Sequence, residues 1–216
     1  MDTIGWVTSY LVTIVCSAGL LYTLKKWKNM SWKKMGREKV YFAFLPVMLL
    51  LMNSCYIFLA EEPLQYTLWK YIIILGVLWV IAYIDFKEQI IPNKYLLMAI
   101  IIRGIIFIIE LITDLSGAVT TIIAEGLGSL ILLSVCILIR FLSRKGLGMG
   151  DVKLFAVLPL FLGLVNGVRA FLYAMIIVFI QACFCLITRK KGKKDVLPFA
   201  PAIAAGAWIT VFLAVI

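Results

Sequence analysis

Long apolar runs alternate with short polar breaks along this chain, and the runs exceed what the interior of a soluble domain uses. Roughly 20 consecutive apolar residues cross a bilayer's hydrocarbon core. Eight stretches approach that length: residues 5–24, 40–60, 67–84, 95–112, 118–139, 152–166, 168–188 and 196–216. The pattern predicts an all-α polytopic membrane helix bundle with about eight transmembrane helices. Little sequence remains for a soluble part, so residues 1–216 read as a single integral-membrane domain. The weakest span is 152–166, which contains Lys153, Pro159, Gly163 and Asn166; a re-entrant course is its alternative.

Charge decides between the two. Basic residues cluster at 25–39, at Lys87 and Lys94, at Arg140, Arg144, Lys145 and Lys153, and at 189–194; under the eight-span topology these loops share one face. The positive-inside rule makes that face cytoplasmic and puts both termini outside. Glu61, Glu62 and Asp114 fall in the opposite loops. A re-entrant 152–166 would turn the 189–194 cluster outward, against every other loop, so the segment is expected to cross as a short helix. The first three residues lack a positive n-region and no cleavage site follows, so the first run reads as a retained helix at the plasma membrane.

Composition supports this class. Hydrophobic residues make up 64% of the chain and mean hydropathy is +1.07, outside the soluble range. The net charge of +10 is read as topology-setting charge beside lipid headgroups, not as a nucleic-acid surface. Cys16, Cys55, Cys136, Cys183 and Cys185 all fall within apolar spans without metal-ligand spacing, which predicts packing roles and no metal. Histidine is absent altogether. Serine–histidine, cysteine–histidine and His-Glu-x-x-His zinc chemistry are therefore excluded.

Two aspartates remain where apolar runs meet basic loops: Asp85, before Ile91-Pro92-Asn93, and Asp151, after Gly146-Leu147-Gly148-Met149-Gly150. Pro92 stops the preceding helix from continuing, and Asn93 is the expected cap of the next. The glycines permit close backbone approach, and Asp151 lies near a helix N-terminus whose dipole favours a carboxylate. Taken singly, each aspartate also reads as an interfacial charge or a helix cap. Together they lie on one predicted face at similar depth. Two neighbouring carboxyls cannot both ionise cheaply, so such a pair shares a proton, and one member activates water while the other protonates a carbonyl.

These motifs resemble the type IV prepilin peptidase family of Gly-x-Gly-Asp intramembrane aspartic proteases. The matching elements are Asp85 with Ile91-Pro92-Asn93, then Gly148-Met149-Gly150-Asp151-Val152-Lys153, then Pro198-Phe199-Ala200-Pro201 near the C-terminus. The resemblance implies that Asp85 and Asp151 form the catalytic dyad. It implies that Gly148, Gly150 and Lys153 shape the loop around it, with Pro92 and Asn93 beside it, and that Pro198, Phe199 and Pro201 open the last helix near the site. The implied substrates are prepilins or pseudopilins, cut at the cytoplasmic boundary between a basic leader and a hydrophobic helix. No cofactor is implied.

Two departures stand out. Many members carry paired Cys-x-x-Cys zinc sites between the first two spans, associated with N-methylation; here that segment is basic and cysteine-free, so a peptidase alone is expected. Alanine at position 200 stands where glycine is usual. An ion-coupled transporter is the rival from another class, on the strength of Arg103, Glu110 and Glu125 inside apolar runs. In the structural alternative Arg103 and Glu110, seven residues apart on one helix face, pair or face the bundle interior, and Glu125 lies near the outer surface. An inactive scaffold is the third possibility.

Overall fold

A computed structural model describes residues 3–28, 38–59, 65–143, 146–188 and 197–215. The expected basic residues Lys33, Lys34, Arg37, Arg144, Lys145 and the run 189–194 lie outside the described residues, as do Glu61 and Glu62.

The described residues form seven α-helices: α1 (Thr3–Lys28), α2 (Glu38–Leu59), α3 (Gln65–Glu88), α4 (Asn93–Thr113), α5 (Leu115–Leu142), α6 (Met149–Ile187) and α7 (Ala200–Val215). Five of them contain spans long and apolar enough to cross a membrane, and apolar stretches of α2 and α7 are shorter. The chain is a polytopic membrane bundle. Its outer face carries large apolar side chains such as Ile112, Phe141 and Phe179, as a lipid-solvated surface requires. Polar groups lie inside instead, among them Asn53, Lys70, Arg103 and Glu125.

The enclosed helix is α3: 83% of its span is buried, against 17–28% for the other four. The run Tyr71–Leu75 followed by Val77 and Leu78 packs on every side, so this helix has no lipid face. It buries one charge near each end, Lys70 and Asp85, about 22 Å apart along the axis. The last turn of α3 includes Asp85 and continues to Glu88, beyond the expected end at 84. Gln89 then closes it in the left-handed region, with φ 54°, and donates its amide to Asp85 O at 2.9 Å. An extended connection through Ile90, Ile91 and Pro92 leads to α4.

The spans expected at 152–166 and 168–188 join into one element, α6, which is broken at Gly163 (φ 78°, ψ 169°). Only glycine adopts that conformation readily, and Pro159, four residues earlier, already weakens the ladder of amide bonds. The break is a reversal. Phe155 and Phe171 would stand about 24 Å apart on a straight helix, yet their ring centroids are 4.9 Å apart. Gly167 has also folded back onto Pro159, whose Cα lies 3.2 Å from where a Cβ would be. The first limb, residues 149–162, is about 21 Å long and thus shorter than a full bilayer crossing. On α5, Gly128 makes room for the tip of this hairpin: a Cβ there would meet Pro159 and Leu164 at 3.1 Å. On α7, Gly206 admits the second limb, with Ala170 O 2.7 Å from its virtual Cβ.

Candidate active site

Asp85 belongs to the C-terminal turn of α3 and is buried, at 6% exposure. Its Oδ2 accepts the Ala200 amide at 2.9 Å, a contact spanning 115 residues. The local sequence accounts for that bond. A helix begins with amides that have no intrahelical acceptor, and Pro201 has none to offer. In Pro198-Phe199-Ala200-Pro201 the amides at the opening of α7 come from Phe199 and Ala200. The Phe199 carbonyl meanwhile accepts from Ala202 at 3.0 Å and Ile203 at 3.1 Å, which starts the helix. A carboxylate at a helix N-terminus also meets the favourable end of the dipole.

Asp151 lies in the first turn of α6. The carbonyl of Gly148 accepts from the Val152 amide at 3.2 Å, and the Asp151 carboxylate reaches back to the Gly148 amide, the geometry of half a capping box. The cap and the candidate catalytic role are therefore compatible in one side chain. Asp151 lies within electrostatic range of Asp85, although 66 residues of chain separate them.

Both glycines of the motif are explained by space. A Cβ on Gly148 would fall 2.6 Å from Asp151 Oδ2, and one on Gly150 would fall 2.9 Å from Ile91 Cβ. The Gly-x-Gly-Asp turn thus packs directly against the Ile91-Pro92-Asn93 connection. Lys153 fastens the same junction by donating from Nζ to Asn93 Oδ1 at 3.1 Å. Asn93 is therefore not the cap that the sequence suggested. Pro92 holds the N-cap position without any side-chain cap bond, and Asn93 is the first residue of α4, its side chain engaged by Lys153. Pro92 and Pro198 are buried, and Phe199 packs edge-on against Phe155 of the first α6 limb, with centroids 5.8 Å apart.

Some contributors are not evident from the sequence motifs. Arg140, read as a topology charge, donates from Nη1 to the Leu147 carbonyl and so steadies the glycine turn. Cys136 is buried on α5, near enough to Asp151 to be affected by its charge. A cysteine in an apolar run carries no sequence signal for such a location. Among the described residues, no three His, Cys, Asp or Glu side chains converge as a metal site would require. Beside the junction a groove of about 510 Å3 lies between α4, α5 and the first α6 limb. Asn93, Lys94 and Lys153 form its polar end, and Leu97, Ile100 and Leu133 line its apolar length.

Residues 72–188 match the type IV leader peptidase family. The match includes Asp85, the 91–93 connection and the whole Gly-x-Gly-Asp turn. A prepilin leader peptidase/N-methyltransferase of Bacillus subtilis (strain 168) is 29% identical to the chain over 136 residues, covering 63% of this chain and 52% of that protein. The chain thus spans about half the length of the relative it matches. No solved structure matches it.

Proposed function

The chain belongs to the type IV leader peptidase family, and on that premise we propose that it is an intramembrane aspartic endopeptidase acting through Asp85 and Asp151. Its substrates are prepilins or pseudopilins, and it removes the basic leader at the cytoplasmic membrane boundary. The observation that carries this reading is the convergence of three separate segments at one end of the bundle. The end of α3 brings Asp85, the start of α6 brings Asp151, and the start of α7 supplies the amide that fixes Asp85.

In the proposed reaction one carboxylate takes a proton from water while the other carboxyl, protonated, gives its proton to the scissile carbonyl oxygen. The water oxygen bonds to the carbonyl carbon and forms a tetrahedral diol. Collapse breaks the C–N bond, a proton passes to the departing amine, and the pair returns to its starting state with one shared proton. Acid and base belong to the pair as a unit.

The topology that fits has about eight crossings, both termini outside and the dyad facing the cytoplasm. The reversal at Gly163 supports it, because a hairpin returns the chain toward the face on which Asp151 begins. That keeps the 189–194 cluster with the other basic loops. The groove beside Lys153 suits a substrate whose hydrophobic helix lies along apolar walls while the peptide bond before it reaches the dyad. N-methylation is not part of the proposal, since residues 25–39 contain no cysteine.

The test is co-expression with prepilin-like proteins of the same source, followed by mass spectrometry of the mature N-terminus. Wild type yields a new N-terminus just before a hydrophobic segment, and Asp85→Asn and Asp151→Asn each abolish it while still inserting. Unchanged leaders on every well-expressed candidate would favour an inactive scaffold instead.

A further inference from the structure

Near the end of the first α6 limb remote from Asp151 is a cluster of four charges, all buried: Lys70 of α3, Arg103 and Glu110 of α4, and Glu125 of α5. Lys70 Nζ contacts Glu125 Oε1 at 2.8 Å and Glu110 Oε1 at 3.4 Å. Arg103 contacts Glu125 Oε2 at 2.5 Å and Glu110 Oε2 at 3.1 Å. Each carboxylate thus bridges both cations, and the quartet is neutral. Glu125, expected near the outer surface, is 3% exposed and touches both cations. Lys70 had not been anticipated at all.

Arg103 makes one further contact, outside the quartet. Its Nε–H is shared between Glu125 Oε2 at 2.9 Å and the Leu160 carbonyl at 2.8 Å. That carbonyl belongs to the last turn before the Gly163 reversal, where the break leaves carbonyls without the amides that would follow in a continuous helix. In an apolar surrounding such a carbonyl needs a donor. Arg103 therefore caps the C-terminal end of the first limb, and Asp151 occupies its N-terminal end, nine residues or about 14 Å away. Beyond the reversal, Asn166 Nδ2 meets Tyr71 Oη at 3.4 Å, one residue from Lys70. Both sides of the hairpin tip are thereby referenced to the helices of the quartet, and α3 among them carries Asp85.

We propose that Arg103 is a positioning residue: by capping the first limb of α6 from the neutral quartet, it sets the axial position of Asp151 relative to Asp85. The proposal rests on the reading of those aspartates as the reacting pair. The limb is a short rod with a glycine turn at one end and a glycine reversal at the other, so its own backbone does little to fix it along its axis. A rise of 1.5 Å per residue means that a slip of one residue displaces the carboxyl by more than catalysis tolerates; about 1 Å of misplacement costs on the order of 100-fold. The quartet carries no unpaired charge, and Arg103 shares its Nε–H between Glu125 and a backbone carbonyl. That is the chemistry of a clamp, not of an ion path.

The experiment uses the full chain in lipid nanodiscs with charge-balanced variants. Arg103→Gln/Glu125→Gln removes one charge of each sign and the cap. Lys70→Met/Glu110→Gln also removes one of each, but leaves Arg103 in contact with Glu125 and Leu160. Spin labels at Phe86→Cys and Met149→Cys, in a background without the five native cysteines, report the distance between the two ends that bear Asp85 and Asp151. The expected result is a shifted or broadened distance in the first variant, with kcat down about 100-fold and KM little changed. The second variant loses less than about 10-fold, and Arg103→Lys recovers part of the loss. Equal losses in the two balanced pairs, or a wild-type distance in the first, would overturn the proposal. If the first pair fails to fold, Arg103→Lys decides alone: a wild-type distance and kcat would overturn it, and a shifted distance with reduced kcat would support it. Because the distance is read without substrate, failure of the clamp is distinguishable from failure of the peptidase reading.

Discussion

Asp85 and Ala200, 115 residues apart, meet through a 2.9 Å hydrogen bond from the Ala200 amide to Asp85 Oδ2. The bond belongs to the backbone, so it survives any side chain at position 200 except proline. This accounts for the tolerance of alanine where glycine is usual. Ala200→Pro removes the donor at the first helical residue, where proline is otherwise well accommodated. A hydrogen bond to a charged group contributes about 1.5–3 kcal/mol. The expected outcome is a fall in kcat of about 10- to 100-fold with a folded, inserted protein, read by leader cleavage in detergent; Ala200→Gly retains activity.

The two motif glycines should fail differently when replaced. In Gly148→Ala the new methyl meets the end of the Asp151 side chain at 2.6 Å, and that end moves aside at small cost in stability. Activity is lost instead, by about 100-fold, because the displaced group is the reacting one. In Gly150→Ala the methyl meets the branched Cβ of Ile91 at 2.9 Å, which the backbone of the 90–92 connection holds in place. Melting temperature and activity should then fall together, and Ile91→Ala in the same chain should restore part of both. Thermal unfolding beside cleavage kinetics separates the two cases.

What was legible in the sequence is what short motifs and chain-wide charge encode. Asp85 and Asp151 stood out as candidates because a carboxylate at the border of an apolar run is costly, and the glycines marked a close approach, which the Asp151 carboxylate and Ile91 make. Helix existence followed from run length. Partners across the bundle did not, because they depend on how each helix is rotated. Asn93 had the chemistry of a cap, and only its distance to Lys153 shows where its oxygen is used. Arg103 and Glu110 were paired correctly from their spacing on one helix, whereas Glu125 needed the α4–α5 packing to be placed. Lys70 did leave a signal: it is a lone cation inside an apolar run, and such a residue implies a buried counter-ion.

A pH-dependent contribution is expected from the connection between α4 and α5. Asp114 caps α5, accepting the Gly117 amide at 3.1 Å and the Ser116 hydroxyl at 3.0 Å. These bonds hold its carboxyl below the usual carboxylate range. A group with a depressed folded pKa stabilises the fold above its unfolded value, about 3.9, and loses that contribution as pH falls through the lower folded value. Asp114→Asn keeps a capping oxygen but has no charge to titrate. The melting-temperature difference between wild type and Asp114→Asn should be flat above about pH 5 and shrink toward pH 3. A difference that does not change with pH would mean that the cap bonds do not distinguish the two protonation states.

The reversal at Gly163 gives the sharpest test of the fold, because no neighbour crowds it. A Cβ there meets nothing within 4 Å, so the backbone alone forbids substitution, through φ 78° with ψ 169°. Gly163→Ala should cost about 1–3 kcal/mol, and a D-alanine placed there by semisynthesis should cost little, since its mirror-image preference admits that conformation. Were α6 instead a continuous helix, Gly163→Ala would stabilise it by about 1 kcal/mol, the ordinary helix-propensity gain. The sign of the melting-temperature change therefore decides between a hairpin and a straight span. Only the hairpin brings Phe155 against Phe171 and the tip against Arg103.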